Sequence, residues 1–303
     1  MRVVSYIRGV PVKNNKPEKT EVLTRFIDGV NRTGQDFGIS HTGTTYIPSD
    51  VAVIQGFVHE NSGRAPHLQL RRTVLQQQKL NQKKTIIVDS NLFLYQEPTN
   101  RLKYLRFSMD GVFPTTGNYF DSIVDPNRWI KISKDLNLEL KPWRSKGKHI
   151  LLCCQRNGGW SMGGIDVASW VKSTVAELKH YTDRPIIVRA HPGDRMAKQY
   201  LANIGLTVST NESIKQDLKD CHATVMYNSS PSVASVIEGI PTFITDPQPK
   251  KSQAYFVSNK RLQDIENPLM PERQQWIEKL CMSHWKFDEL SDGSAWNHMR
   301  QFI

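Results

Sequence analysis

The sequence predicts an α/β protein built from two doubly wound domains, and three observations carry that expectation. Apolar runs of strand length alternate with helix-length segments; the alternation breaks over residues 121–147 and then restarts; and the polar residues best suited to chemistry follow directly after apolar runs. In open α/β sheets that is where ligands bind, beyond the carboxyl ends of the strands.

In the first half, RVVSYI (2–7) reads as a strand and PEKTEVLTRFIDGVNRTG (17–34) as a helix with acids early and a glycine at its end. VAVIQGFVH (51–59) is the next strand, HLQLRRTVLQQQKLNQKK (67–84) a helix and TIIVDSNLF (85–93) a strand. Helices of this length between strands imply a parallel sheet with helical crossovers. The Pro-interrupted stretch 121–147 marks the junction, so domains are expected over 1–147 and 148–270.

The second half runs HILLCCQRN (149–157, strand), NGGWSMGG (157–164, Gly-rich loop) and IDVASWVKSTVAELKHY (165–181, amphipathic helix). PIIVRAHP (185–192) is a strand, and RMAKQYLANIG (195–205) and SIKQDLKDC (213–221) are helices. ATVMYNSS, the helix SVASVIEG and the strand TFITDP complete it. The aromatic-rich segment 271–303 is expected to be helical and to bridge the two domains through Trp276, Trp285 and Trp296.

A hydrophobic fraction of 38% over 303 residues is ample for packed cores. No run approaches the roughly 18 apolar residues of a membrane span, and the N-terminus lacks signal-peptide features, so a cytoplasmic protein is expected. Cys153, Cys154, Cys221 and Cys281 have no zinc-ligand or CxxC spacing and read as buried free thiols. Net charge is +11, and it is uneven: residues 1–148 hold 23 Lys+Arg against 13 Asp+Glu, leaving 17 against 16 for the rest. Such clustering of cations suits a polyanionic partner for the first half.

Three strand ends of the second half carry convergent chemistry. Arg156, Gly158 and Gly159 lie in a glycine-rich turn before a helix, a setting for anion binding through backbone N–H groups. Arg189 and His191, on one face by alternation, could address one anion together. Asn228, Ser229 and Ser230 end a strand and Ser232 caps or opens the following helix, while Glu238 near that helix's end suits paired sugar hydroxyls.

The motifs RAHPGD and NSSPSVASVIEGIPTFITDP resemble those of the donor domain of GT-B glycosyltransferases, particularly the HP and Ser-Ser…Glu-Gly-Ile-Pro branch of capsule and sialic-acid-type enzymes. The resemblance implies that His191, Ser229, Ser230 and Ser232 hold donor phosphates and that Glu238 contacts the nucleoside or sugar. It implies a nucleotide-sugar co-substrate, a UDP-sugar first among them, with no tightly bound cofactor. No two aspartates stand two apart as a metal-bound diphosphate would require, so Arg156, Arg189 and His191 are expected to neutralise the leaving group without metal. A base for the acceptor hydroxyl is expected from Asp110 or Asp89.

Size, charge and architecture also resemble the phage DNA glycosyltransferases that act on 5-hydroxymethylcytosine in duplex DNA. That resemblance implies a phage-encoded protein in the host cytoplasm; a monomer is the expected state. Arg64, Arg71, Arg72, Lys79, Lys83, Lys84, Arg101, Lys103 and Arg106 would then supply the phosphate contacts. The alternatives are a capsule- or lipopolysaccharide-type transferase acting on a surface glycan and a non-catalytic nucleic-acid-binding protein.

Overall fold

A computed structural model describes residues 1–7, 18–58, 63, 65–93, 104–113, 124–202, 204–248 and 251–303. In chain order the first elements are β1 (Arg2–Tyr6), α1 (Glu18–Arg32), β2 (Phe37–His41), β3 (Val51–Gln55), α2 (Pro66–Leu80), β4 (Lys84–Ser90), β5 (Leu105–Met109) and α3 (Pro126–Leu136). Next come β6 (His149–Cys153), α4 (Val167–Leu178), β7 (Ile186–Arg189), α5 (Ala197–Ala202), β8 (Thr207–Val208), α6 (Ile214–Asp217), β9 (Cys221–Met226), α7 (Pro231–Ile237) and β10 (Thr242–Ile244). The chain ends with α8 (Gln274–Cys281), β11 (His284–Trp285), α9 (Phe287–Ser291) and α10 (Ser294–Met299).

These elements form two compact units, one from 1–91, 99–124 and 279–303, the other from 92–98 and 125–278. The expected boundary at 147 is displaced to 124/125 because the stretch after α3 is tied to the second sheet. Lys141 N–H donates to Ile237 O (2.9 Å) and Arg144 N–H to Gly239 O (2.7 Å), while the Arg144 guanidinium donates to the carbonyls of Leu218 and Cys221. The C-terminal segment is divided between the two units. Residues 279–303 complete the first unit, and Trp276 belongs to the second, its indole donating to Gln253 O.

The first unit's sheet has the order β11-β5-β4-β3-β1-β2. β2, β1, β3 and β4 are parallel, but β5 runs antiparallel to β4, which departs from the all-parallel expectation. β2 (FGISH) and β5 (LRFSM) are not among the expected strands, because small or polar residues break the apolar runs that mark the equally short β1 and β3. One face packs on α1, whose Val22, Leu23, Phe26, Ile27 and Val30 recur at helical spacing and are buried. Trp296 of α10 is fully buried there, edge-on to Phe26 at 6.0 Å between centroids. Deleting such a side chain costs about 3–5 kcal/mol. The other face, formed by Ala52, Ile54 and Ile87, packs on Leu70 and Val74 of α2.

The second unit's sheet, β10-β9-β6-β7-β8, is parallel throughout. From β6 the chain moves outward to β7 and β8, then returns to the other side of β6 with β9 and β10. The strand order therefore reverses between β6 and β9, where a crevice opens at the carboxyl ends. All four cysteines are buried and unbridged. No helix among the described residues is long and apolar enough to cross a membrane.

Candidate functional site

At the reversal point of the second sheet, the loops after β6 and β9 are stitched together. Gln155 donates from Nε2 to Asn228 Oδ1 (2.7 Å) and to Ser161 Oγ (2.6 Å), and its Oε1 accepts from Asn228 N–H (3.3 Å). Asn228 Nδ2 in turn reaches Ser161 O (3.0 Å) and Asp246 Oδ2 (2.5 Å). Gln155, Asn228 and Asp246 are all buried, and a satisfied buried network of this kind holds loops in one arrangement. Polar residues directly after the runs HILLCC and ATVMY were the available signal; that Gln155 and Asn228 meet depends on the pairing of β6 with β9.

The loop after β7 joins this frame through Asp194. Its Oδ2 accepts from Asn157 N–H (2.8 Å) and from the Tyr200 hydroxyl (2.8 Å), and its Oδ1 from Met196 N–H (3.0 Å). Although burial opposes ionisation, these bonds and nearby His191 hold the Asp194 carboxyl below the usual range. His191 accepts Gly193 N–H on Nδ1 (3.0 Å), so the neutral ring carries its proton on Nε2, ready to donate. Burial first, with Arg156 second among the lowering influences, pulls the imidazole below its ordinary value, and Asp194 works the other way. Exposed Arg156 and half-buried His191 are thus electrostatic neighbours.

Other expected phosphate ligands are occupied. The Arg189 side chain does not join His191: its guanidinium pairs with buried Asp217 and donates to the carbonyls of Asn211 (3.0 Å) and Glu212 (2.9 Å). Ser232 is buried and returns its hydroxyl to Ser229 O (2.8 Å). Gly158 N–H donates to Asn157 Oδ1 and Gly159 N–H to Arg156 O, so the glycine turn closes on itself. The N-terminus of α4 is likewise capped: Asp166 accepts from Ser169 N–H (2.8 Å) and Asn157 Oδ1 from Val167 N–H (3.2 Å). A carboxylate already placed there disfavours a second anion.

Ser230 is exposed and its side chain makes no capping bond to α7, while Ser229 Oγ is buried without a hydrogen-bond partner among the described residues. Glu238 lies at the opposite end of the seven-residue α7, about 10 Å along the axis at 1.5 Å per residue, in an ion pair with Lys141.

The two expected bases of the first unit lie at opposite ends of its sheet. Asp110, at φ 56°, accepts Thr85 N–H on Oδ1 (2.8 Å) and pairs with Lys84 through Oδ2 (2.8 Å), at the amino end of β4. Asp89 stands at the carboxyl end of β4 and pairs with Arg106 (2.9 Å). Of the expected DNA contacts, Arg71 and Arg106 are buried, and Lys83 and Lys84 pair with Asp50 and Asp110. Arg72 is half-buried and Lys79 exposed, whereas Arg64, Arg101 and Lys103 lie outside the described residues. Among the described residues no group of three or more His, Cys, Asp or Glu gathers as a metal site would require.

With two Rossmann-like sheets and a reversal-point site in the second, the chain has the GT-B architecture. It is similar in fold to KpsC β-Kdo 2,7 transferase of Thermosulfurimonas dismutans, at 12% identity and a TM-score of 0.54 over 92% of this chain and 90% of that one. A second similar structure is the β-Kdo 2,4 transferase of KpsC from the same organism, at 12% identity and 0.51 over 94% and 91%. No protein-family model matches the sequence, and no curated protein matches it. At such identity the likeness speaks to fold alone.

Proposed function

We propose that this chain is a glycosyltransferase that takes its sugar from a nucleotide-activated donor bound by the second unit. The observation that carries the reading is His191. Its acceptor bond from Gly193 leaves a proton on Nε2, beside the cation Arg156 and in a loop that Asp194 ties to the reversal point. A departing diphosphate needs donors and positive charge preset where its own charge grows. His191 Nε2–H and the Arg156 guanidinium supply these, with Ser229 and Ser230 as hydroxyl donors from the loop after β9. A UDP-sugar is the first donor to try. The two similar structures are both of transferases, which agrees with this reading.

For the acceptor, the placement of the cations favours an anionic glycan over duplex DNA. A DNA backbone is met by exposed, unpaired cations. Arg71 and Arg106 are buried instead, and Lys83 and Lys84 already have carboxylate partners. Incubation with UDP-, GDP- and CMP-sugars and with acidic oligosaccharides, hydroxymethylated DNA and unmodified DNA, read by mass spectrometry, tests both steps. Sugar transfer that is lost in His191→Ala is the expected result. Absence of binding to every nucleotide sugar, or full turnover by the His191→Ala variant, overturns the donor assignment. Transfer to DNA but to no glycan overturns the acceptor preference.

A further inference from the structure

Asp194 has the wrong charge for a residue beside a phosphate site. It stands in the loop after β7, three residues past His191, and the charges of Asp194 and Arg156 both act on the His191 ring. A fixed carboxylate there repels an anionic ligand, so electrostatics alone would favour a neutral residue. Yet Asp194 is held ionised: bonds from Asn157 N–H, the Tyr200 hydroxyl and Met196 N–H, with the nearby imidazole, outweigh the burial that opposes its charge.

The ladder between β6 and β7 ends where Cys154 N–H donates to Arg189 O (2.9 Å). Arg156 and His191 both lie beyond that bond, so strand pairing no longer sets their separation. Among the described residues, the next hydrogen bond joining the two loops runs from Asn157 N–H to Asp194 Oδ2 (2.8 Å). Arg156 is therefore enclosed between the last ladder bond and this tie. On the other side, Asp194 N–H donates to His191 O (2.9 Å). The backbone of Asp194 thus fixes the turn that carries the imidazole, while its carboxylate fixes the residue after Arg156. The carboxylate is in turn held from the core: Tyr200, in α5, packs against the buried cluster of the second sheet and donates its hydroxyl to Asp194 Oδ2 (2.8 Å). Burial first, and then Asp194, raises the Tyr200 hydroxyl far above its ordinary value, so it remains a donor.

We propose that Asp194 is a positioning residue of the donor site: it fixes the spacing between Arg156 and His191, and Tyr200 holds it in place. Its contribution is geometry and not charge, since preset donors act on an anion only when they already stand where its charge appears. The role rests on the donor reading, in which Arg156 and His191 meet the donor phosphates, and it names the residue that brings their two loops to one anion.

The test is calorimetric binding of inorganic pyrophosphate and of UDP-glucose to the full chain, at one pH. Pyrophosphate carries two phosphates and no nucleoside, so its result does not depend on the base of the donor. Asp194→Ala is expected to bind both at least about tenfold more weakly, the scale of a lost hydrogen bond to a charged group, even though it removes a repulsive charge. Asp194→Asn keeps a carbonyl oxygen for Asn157 N–H and loses the charge, so it should recover most of that loss. Tyr200→Phe, with ring and charge unchanged, should show a smaller loss. Circular dichroism and a melting curve establish that each variant is folded, and Tyr200→Phe stands in if Asp194→Ala is not. Unchanged or tighter binding by folded Asp194→Ala makes the carboxylate a bystander and overturns the proposal; where that variant does not fold, unchanged binding by Tyr200→Phe does the same. Binding by Asp194→Asn as weak as by Asp194→Ala also overturns it, because the site then needs the charge and not the spacing. Failure of the wild type to bind either ligand removes the donor assignment together with the positioning role, whereas binding indifferent to Asp194 removes the positioning role alone.

Discussion

His191 is where local geometry turns into a measurable property. Its imidazole sits below the ordinary histidine value because it is partly buried and close to Arg156, so the free protein holds it neutral at pH 7. An anion bound at Nε2 favours the charged ring and raises that value. The bound state then holds more protons than the free state, and affinity must rise as pH falls through the region around and below about 6.5. Titrations with a UDP-sugar, whose diphosphate does not change charge between pH 8 and pH 5.5, should show this gain in the wild type and a flat profile in His191→Asn. A flat wild-type profile sinks the contact with phosphate. The part Asp194 plays is set by tertiary contact, because it accepts from the Asn157 backbone, 37 positions away.

Among the elements, α4 and α1 make opposite uses of their ends and faces. The α4 N-terminus looked like an anion cradle in the sequence, but Asp166 and Asn157 already satisfy it. The N–H and then the hydroxyl of Ser169, followed by the Asn157 amide, hold the Asp166 carboxyl below its usual range. Asp166→Ala should therefore cost about 1 kcal/mol as a lost cap and leave UDP affinity unchanged. Equilibrium denaturation and nucleotide titration of one sample decide it; a marked gain or loss of UDP affinity would return α4 to the site. In α1 the pressure point is Gly29, where a Cβ would come within 1.9 Å of Leu290 O in α9. Gly29→Ala should destabilise the first unit by about 1–3 kcal/mol, the usual range for overpacking, and a denaturant midpoint equal to wild type would contradict that close approach.

For the molecule as a whole, the +11 charge is a statement about composition, and the fold decides how much of it reaches a partner. Two of the expected backbone contacts are buried and two are neutralised by carboxylates, so duplex-DNA binding should respond weakly to salt. Each phosphate contact contributes about 0.9 to the slope of log affinity against log salt. A slope of magnitude about 8, from all nine expected contacts, would restore the DNA reading; a value of about 5 or below agrees with the buried and paired placement.

The sequence alone determined the α/β class, most of the strands and helices, and the positions of the three strand-end loops in the second half. Those features rest on local periodicity and turn chemistry, which neighbours in the chain specify together. Only the tertiary structure decided the unit boundary at 124/125, the return of 279–303 to the first core and the antiparallel β5. It also decided which polar side chains stay available. Arg189, Ser232, Asp110 and Arg106 all looked equally free as letters, yet Asp217, Ser229 O, Lys84 with Thr85, and Asp89 claim them. A side chain's partner is set by strand order and register, and these join residues far apart in the chain through packing that local sequence does not encode.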